Sequence, residues 1–156
     1  MNVAEDTVVR CEVAVDAPQE KAFAVFTESF DSWWPRTHKI GSAELAEAVL
    51  EPREGGRWYE RDVDGSECDW GKVLVWEPPA RLVLAWQISG EWAYDAALET
   101  EVEVSFVAEG PNQTRVELEH RGLEAYGDAL AKIRESIGSE GGWPGILEKF
   151  AARAGA

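Results

Sequence analysis

The stretch LETEVEVSFVAEG, followed by TRVELEHRG, limits the fold more than any other part of the chain. Leu98, Thr100, Val102, Val104 and Phe106 share one parity, and Glu99, Glu101 and Glu103 share the other. Beyond the turn residues Gly110 to Gln113, Val116, Leu118 and His120 alternate in the same way against Arg115, Glu117, Glu119 and Arg121. Successive strand side chains point to opposite faces, so these segments form strands with one apolar and one charged face. A one-residue slip would turn the glutamates into the core. Apolar parity must therefore meet apolar parity, which requires a loop with an odd number of residues. The apolar face also needs a cover.

The remaining segments supply more strands and that cover. TVVRCEVAVD alternates through Val9, Cys11, Val13 and Val15. DAPQEKAFAVFTESF reads as a helix, with Asp16 and Gln19 spaced as a capping box, Pro18 in the first turn and an apolar face of Ala22, Phe23, Val25 and Phe26. It is expected to stop before Pro35. AEAVLEP, RWYERDV, WGKVLVW and RLVLAWQI then form a meander broken at Asp64-Gly65 and Pro78-Pro79. EAYGDALAKIRESI is amphipathic through Tyr126, Leu130, Ile133 and Ile137. WPGILEKFAARA repeats Trp143, Ile146, Leu147, Phe150, Ala151 and Ala154 at helical spacing. Strand, helix, meander and closing helices make an α+β class, and 156 residues without a linker or repeat make one domain, 1–156.

Thirty acidic against fifteen basic residues give a formal net charge of −15, a field that repels phosphate backbones and anionic leaflets. Nucleic acid is not expected as a partner, nor is membrane insertion, since no long apolar run occurs. The start MNVAEDTVVR has neither a basic n-region nor an apolar h-region, which points to a cytoplasmic protein. Cys11 and Cys68 form no CxxC, and the two histidines have no HxxxH spacing. Neither a disulfide framework nor a metal site is therefore indicated. No GxSxG and no P-loop occur, and no cofactor is expected.

The order of elements, with VDAPQEKAFAVFT, FDSWWP, EGGRWYERDVDGSECDWGKVLVWEPPARLVLAWQI and the ending GGWPGILEKFAA, resembles the bacterial branch of the Hsp90-ATPase-activator-homologue family. That family lies within the START-like (SRPBCC, Bet v 1-like) superfamily, and the resemblance runs from about Val8 to Ala152. It implies a helix-grip fold, in which a curved antiparallel sheet wraps a long C-terminal helix around an internal cavity. Such cavities commonly bind lipids, hormones, polyketides or other apolar molecules, and in some members they are catalytic. Members that stimulate Hsp90 carry an additional N-terminal domain with a basic Arg-Lys-x-x-Asn-Lys motif. That motif does not occur in this sequence, so a chaperone contact is the weaker expectation. Its candidate surface is the glutamate-rich outer face.

Candidate residues follow from parity and from this resemblance. RWYERDV places Trp58 and Glu60 on one parity and Tyr59 on the other, so either face could wall a pocket. An inward charged face there requires water or paired Arg and Glu. Cys68, Trp70, Lys72, Leu74 and Trp76 share a parity in the next strand, and Trp86 lies on the strand after. Their rings offer flat apolar walls with an indole N–H for orientation, or plain core. Trp34 sits in the Trp-Trp-Pro turn. Val102, Val104, Ile146 and Phe150 come from the inner faces of strand and closing helix. His120, on the face under that helix, is either a proton-transfer group or a satisfied core histidine. The expected ligand is a small apolar or aromatic molecule. An acid–base enzyme using His120 with a carboxylate such as Glu60 is the alternative.

Overall fold

The computed structural model describes residues 7–156. Residues 1–6, which carry most of the stretch read above for a signal sequence, lie outside the described residues. Seven strands form one antiparallel sheet: β1 (Val9–Val15), β2 (Leu45–Leu50), β3 (Arg57–Asp62), β4 (Glu67–Glu77), β5 (Arg81–Trp86), β6 (Thr100–Gly110) and β7 (Gln113–Arg121). Their spatial order is β1-β7-β6-β5-β4-β3-β2. Three helices cover the inner face: α1 (Gln19–Thr27), α2 (Leu130–Gly138) and α3 (Trp143–Ala154). This is the α+β helix-grip arrangement, and among the described residues no helix is long and apolar enough to cross a membrane.

The β6–β7 hairpin holds its apolar register by a local irregularity. Val104 pairs with Leu118, Phe106 with Val116 and Ala108 with Thr114, after which the register shifts and Gly110 pairs with Gln113. Five residues separate Ala108 from Thr114, the odd number that parity demands. They consist of the Gly110–Gln113 pair, the two turn residues between them and one extra residue, Glu109, which forms the bulge.

The half of the sheet from β2 to β5 is more irregular than its sequence suggests. Trp58 pairs with Gly71 but Tyr59 with Asp69, so Trp70 is an extra residue in β4. Val73 pairs with Leu84 but Val75 with Val83, so Leu74 is a second one. Each bulge moves the following residues to the other face. Lys72, which shares the parity of Trp70 in the sequence, is consequently exposed while Val73 is buried. Trp76 returns inward and meets Phe23 of α1, with ring centroids 5.0 Å apart. Bulges bend and twist a strand, which curls this half of the sheet around the helices.

Two helical expectations change as well. Residue 18 is the N-cap of α1, which has no side-chain cap, and the Gln19 amide donates instead to the Phe106 carbonyl at 2.7 Å. The capping box gives way to a bond that ties α1 to β6. The amphipathic run from Glu124 to Ile137 is not one helix, because Gly127 (φ 57°, ψ −122°) kinks the 3₁₀ segment Leu123–Ala129 that precedes α2.

Buried Trp143, Ile146, Leu147, Phe150 and Ala154 line the inward side of α3, and Phe150 packs edge-on against Phe26 of α1 at 5.1 Å. The turn from α2 into α3 is tight enough that a Cβ on Gly142 would lie 2.2 Å from the Ile137 carbonyl oxygen, whereas one on Gly141 would meet nothing closer than 3.7 Å. Gly142→Ala should therefore cost about 2–4 kcal/mol of stability and Gly141→Ala within about 0.5 kcal/mol of nothing, as read from urea-denaturation midpoints of the two variants.

Candidate functional site

The helices do not fill the curl. A cavity of about 300 Å³ remains between the loop after the Trp33-Trp34-Pro35 turn, the ends of β4 and β5, the 88–92 loop and the α2–α3 junction. Five of the eight tryptophans line it: Trp34, Trp70, Trp86, Trp92 and Trp143. Ile40, Ile88, Ile137 and Ile146 add aliphatic surface, and Thr37, His38, Lys39 and Ser136 are its polar side chains. Its volume lies at the lower end of the roughly 300–1,000 Å³ common for small-molecule sites. The Nε2 of His38 bonds the Gly141 carbonyl at 2.6 Å, joining the loop after Trp34 to the α2–α3 turn beside the cavity.

Four of the five indoles have their N–H engaged by the protein. Trp34 donates to the His38 carbonyl at 2.8 Å, Trp70 to Glu60 Oε1 at 2.9 Å, Trp86 to the Tyr126 hydroxyl at 2.9 Å and Trp143 to His120 Nδ1 at 3.1 Å. The N–H groups of Trp70 and Trp86, expected to orient a ligand, are thus already spent. Their rings offer the cavity carbon surface. Trp92 differs: it is 40% exposed and has a positive φ of 59°, an uncommon conformation for a bulky residue.

His120 lies behind this wall with no exposed surface. An indole N–H only donates, so the Trp143 bond fixes Nδ1 as acceptor and places the imidazole proton on Nε2. Nε2–H then donates to Thr100 Oγ1 at 2.8 Å, and Thr100 passes its own hydrogen to the Trp86 carbonyl at 2.9 Å. Burial pushes the His120 pKa down to about 3. The ring is a neutral, fully bonded support for Trp143, with no nitrogen left to take a proton from a ligand. Tyr126 plays the matching part for Trp86. It donates to the Ile88 carbonyl at 2.6 Å, and burial raises its pKa to about 12.

On β3, Trp58, Glu60 and Asp62 face inward and are buried. The arginines of this strand point the other way: Arg57 pairs with Asp69 and Glu67, and Arg61 with Glu47. Glu60 has no arginine partner among the described residues. It accepts the backbone N–H of Ile40 at 2.6 Å and of Gly41 at 3.2 Å, besides the Trp70 indole. Burial alone would raise its pKa, but contacts with Asp62, Ile40, Trp70 and Gly41 outweigh burial and hold it below the usual carboxylate range. Asp62 has no donor for either carboxylate oxygen among the described residues. Burial first, then the adjacent Glu60 carboxylate, push its pKa up to about 6. The contact between the two is a hydrogen bond only while one of them carries a proton.

Of the residues singled out from sequence, Trp34, Trp70, Trp86 and Ile146 come together at the cavity. Glu60 and His120 stand one layer behind it as acceptors for indole N–H groups. Trp58 is wedged between Trp70 and Trp86, with both centroid distances 5.6 Å. Tyr59 is on the outer face under Arg57, whose guanidinium carbon lies 3.8 Å from the ring centroid. Val102, Val104 and Phe150 are fully buried in the core, and part-exposed Cys68 sits beside Glu60 and Asp62. Sequence reasoning did not select Ile40, Ile88, Trp92, Ile137 or Trp143 for the cavity. Trp143 and Ile137 carried a helical-face signal, whereas Ile40 and Trp92 lie on loops without periodicity.

Residues 16–155 match the family described as Activator of Hsp90 ATPase homolog 1-like protein. The chain belongs to this family. Among solved structures, an anthrahydroquino-gamma-pyrone synthase, Txn09, complexed with SUM, is 40% identical over 94% of this chain and 96% of its own, with a TM-score of 0.67. CalC, a self-sacrificing resistance protein from Micromonospora echinospora, is 35% identical over 96% of this chain and 94% of its own, with a TM-score of 0.71. Protein NE0264 from Nitrosomonas europaea, at 14% identity and a TM-score of 0.68 over 99% and 97% of the two chains, shares the fold. No curated protein matches the chain.

The state of His120 has a consequence for acid stability. Its folded pKa lies below the unfolded value of 6.5, so its contribution is complete above pH 6.5 and is lost as the pH falls toward 3. NMR at pH 5 should show an unprotonated Nδ1 and a protonated Nε2. Replacing His120 by Gln should flatten the fall in urea-derived stability between pH 6.5 and 4.

Proposed function

We propose that this protein binds a planar, largely apolar aromatic molecule in the indole-walled cavity. The observation that carries this reading is the set of four rings whose N–H groups are turned away to Glu60, His120, Tyr126 and the His38 carbonyl. Such a surface rewards stacking and dispersion and offers few directional polar contacts. Aliphatic Ile40, Ile88, Ile137 and Ile146 extend it. The 40% identity to an anthrahydroquino-gamma-pyrone synthase supports the same class.

A synthase-like activity is the second reading, favoured by the 40% identity to the pyrone synthase. The acid–base form of it with His120 as base loses support, because both imidazole nitrogens are bonded and the ring is buried. A cavity that orders a flexible substrate by stacking, and so brings its reacting atoms together, fits the observed lining better. Contact with a chaperone through the outer face gains nothing here. Glu101, Glu103 and Glu119 are bound by Arg121, Glu103 also by Arg81, and Glu117 by Arg115.

Titration with an anthraquinone, followed by tryptophan fluorescence, tests the binding reading. Saturable one-to-one quenching is expected. At a free concentration of 100 times Kd the ligand should add about 2.7 kcal/mol, raising the melting temperature by roughly 5–10 °C. Ile146→Trp, which fills the cavity from α3, should weaken binding at least tenfold and leave the far-ultraviolet circular dichroism unchanged. Equal binding by the filled variant, or no quenching by any tricyclic aromatic probe, would overturn the assignment.

A further inference from the structure

Beside the cavity, behind Ile40 and Trp70, the inner face of the sheet gathers three potential metal ligands. Glu60 and Cys68 are directly opposite partners on β3 and β4, and Asp62 follows Glu60 by two positions, so all three point the same way. One donor atom from each lies within 4.8 Å of the others. Glu60 and Asp62 are buried and Cys68 is part-exposed.

This cluster differs from an ordinary acidic patch through Asp62, which is 1% exposed and has no donor to either carboxylate oxygen among the described residues. Burying a carboxylate that way costs several kcal/mol unless something positive compensates it. Lys39 supplies one positive charge in the neighbourhood, while its ammonium group donates to the Gly41 carbonyl. Two carboxylates against one ammonium leave one negative charge uncompensated. A divalent cation bound with a Cys68 thiolate would balance it, since two carboxylates and a thiolate would face one ammonium and a doubly charged ion.

We propose that Glu60, Asp62 and Cys68 form a binding site for a divalent transition-metal cation of the zinc type. One sulfur with two carboxylate oxygens is a borderline-soft donor set, suited to Zn²⁺ or Co²⁺ rather than to Mg²⁺ or Ca²⁺, which take oxygen ligands. Donors within 4.8 Å of one another need to close further by side-chain rotation to reach a common ion at the ~2.0–2.3 Å typical of zinc. Three protein ligands leave the fourth position to water. The Ile40 and Gly41 N–H groups and the Trp70 indole fix the orientation of Glu60, the part that hydrogen bonds to metal ligands commonly play. Gly41 lets the loop close over the carboxylates, because a Cβ there would lie 1.9 Å from Asp62 Oδ2. The part-exposed Cys68 gives an entry path, and a formal net charge of −15 raises the local concentration of cations.

Loading replaces a proton by the metal. A thiol ligates only as its thiolate, so metal bound through Cys68 displaces the thiol proton into solvent.

Chelator-treated full-length protein, reduced and carrying Cys11→Ser so that Cys68 is its single thiol, is titrated with Co²⁺ at pH 7.5 and then with Zn²⁺. A sulfur-to-cobalt charge-transfer band that saturates at one equivalent and is displaced by Zn²⁺ is expected. Zn²⁺ but not Mg²⁺ should raise the melting temperature by several degrees. Cys68→Ser should abolish the band, and Asp62→Asn should weaken Zn²⁺ binding at least tenfold. The carboxamide of that variant can still donate to Glu60, so the fold is preserved. A different pattern overturns the proposal: no cobalt–thiolate band, no zinc-dependent shift, and a melting temperature that Asp62→Asn itself raises at pH 7.5. The carboxylate pair would then be holding only a proton. Zinc binding retained in both variants would likewise place the metal elsewhere on the surface.

Discussion

Everything at the cavity depends on the way buried acceptors hold indole N–H groups. A buried indole usually has a partner for that hydrogen, Trp58 behind the cavity wall being the exception among the described residues, and a ring tied at its N–H keeps one orientation. Glu60 on β3 holds Trp70, His120 on β7 holds Trp143 of α3, and Tyr126 in the 3₁₀ segment holds Trp86. Each tether links different parts of the fold, so the rings also fix the spacing of sheet and helices. A cavity among large side chains can persist here because these rings cannot swing inward without breaking a buried hydrogen bond. Removing one such partner costs more than the bond itself contributes.

These acceptors are the polar groups that look most like catalytic residues in the sequence. A histidine on an inner strand face and a glutamate among aromatic residues on a strand suggest proton transfer, yet His120 and Glu60 use their lone pairs to hold rings. Their pKa values move in opposite senses to a common end. Burial keeps His120 neutral and able to accept from Trp143. Contacts around Glu60 outweigh the effect of burial and keep it ionised, able to accept from Trp70, Ile40 and Gly41. What these two residues leave facing the cavity is ring carbon rather than a free proton-transfer group.

The outer face plays a different part. Arg121 reaches Glu101, Glu103 and Glu119, and Arg81 reaches Glu103 and Glu77 across neighbouring strands. Partly exposed pairs of this kind contribute little each. The register sets Glu103 directly opposite Glu119, like charges whose repulsion is relieved because Arg121 reaches both. The excess of acid over base keeps the molecule strongly anionic, while the paired outer face of these strands lacks an unopposed acidic stripe.

The sequence by itself determined the strand and helix segments, the parity of the β6–β7 hairpin and the apolar side of α3, because these follow from periods of two and 3.6 that neighbouring residues carry locally. Through its resemblance to a family it also determined the helix-grip class and the presence of an internal cavity. Trp34, Trp70, Trp86 and Ile146 were legible as wall residues for the same reason: each belongs to an inward face or to an aromatic turn next to one. Only the tertiary structure decided where parity breaks. The extra residues Trp70 and Leu74 in β4 send Lys72 outward, bring Trp76 back inward and curl the sheet. It alone brought the aperiodic loop residues Ile40 and Trp92 to the cavity, turned His120 and Glu60 into tethers, and placed Cys68 beside two buried carboxylates. Those outcomes depend on contacts between residues far apart in the chain, for which local periodicity has no signal.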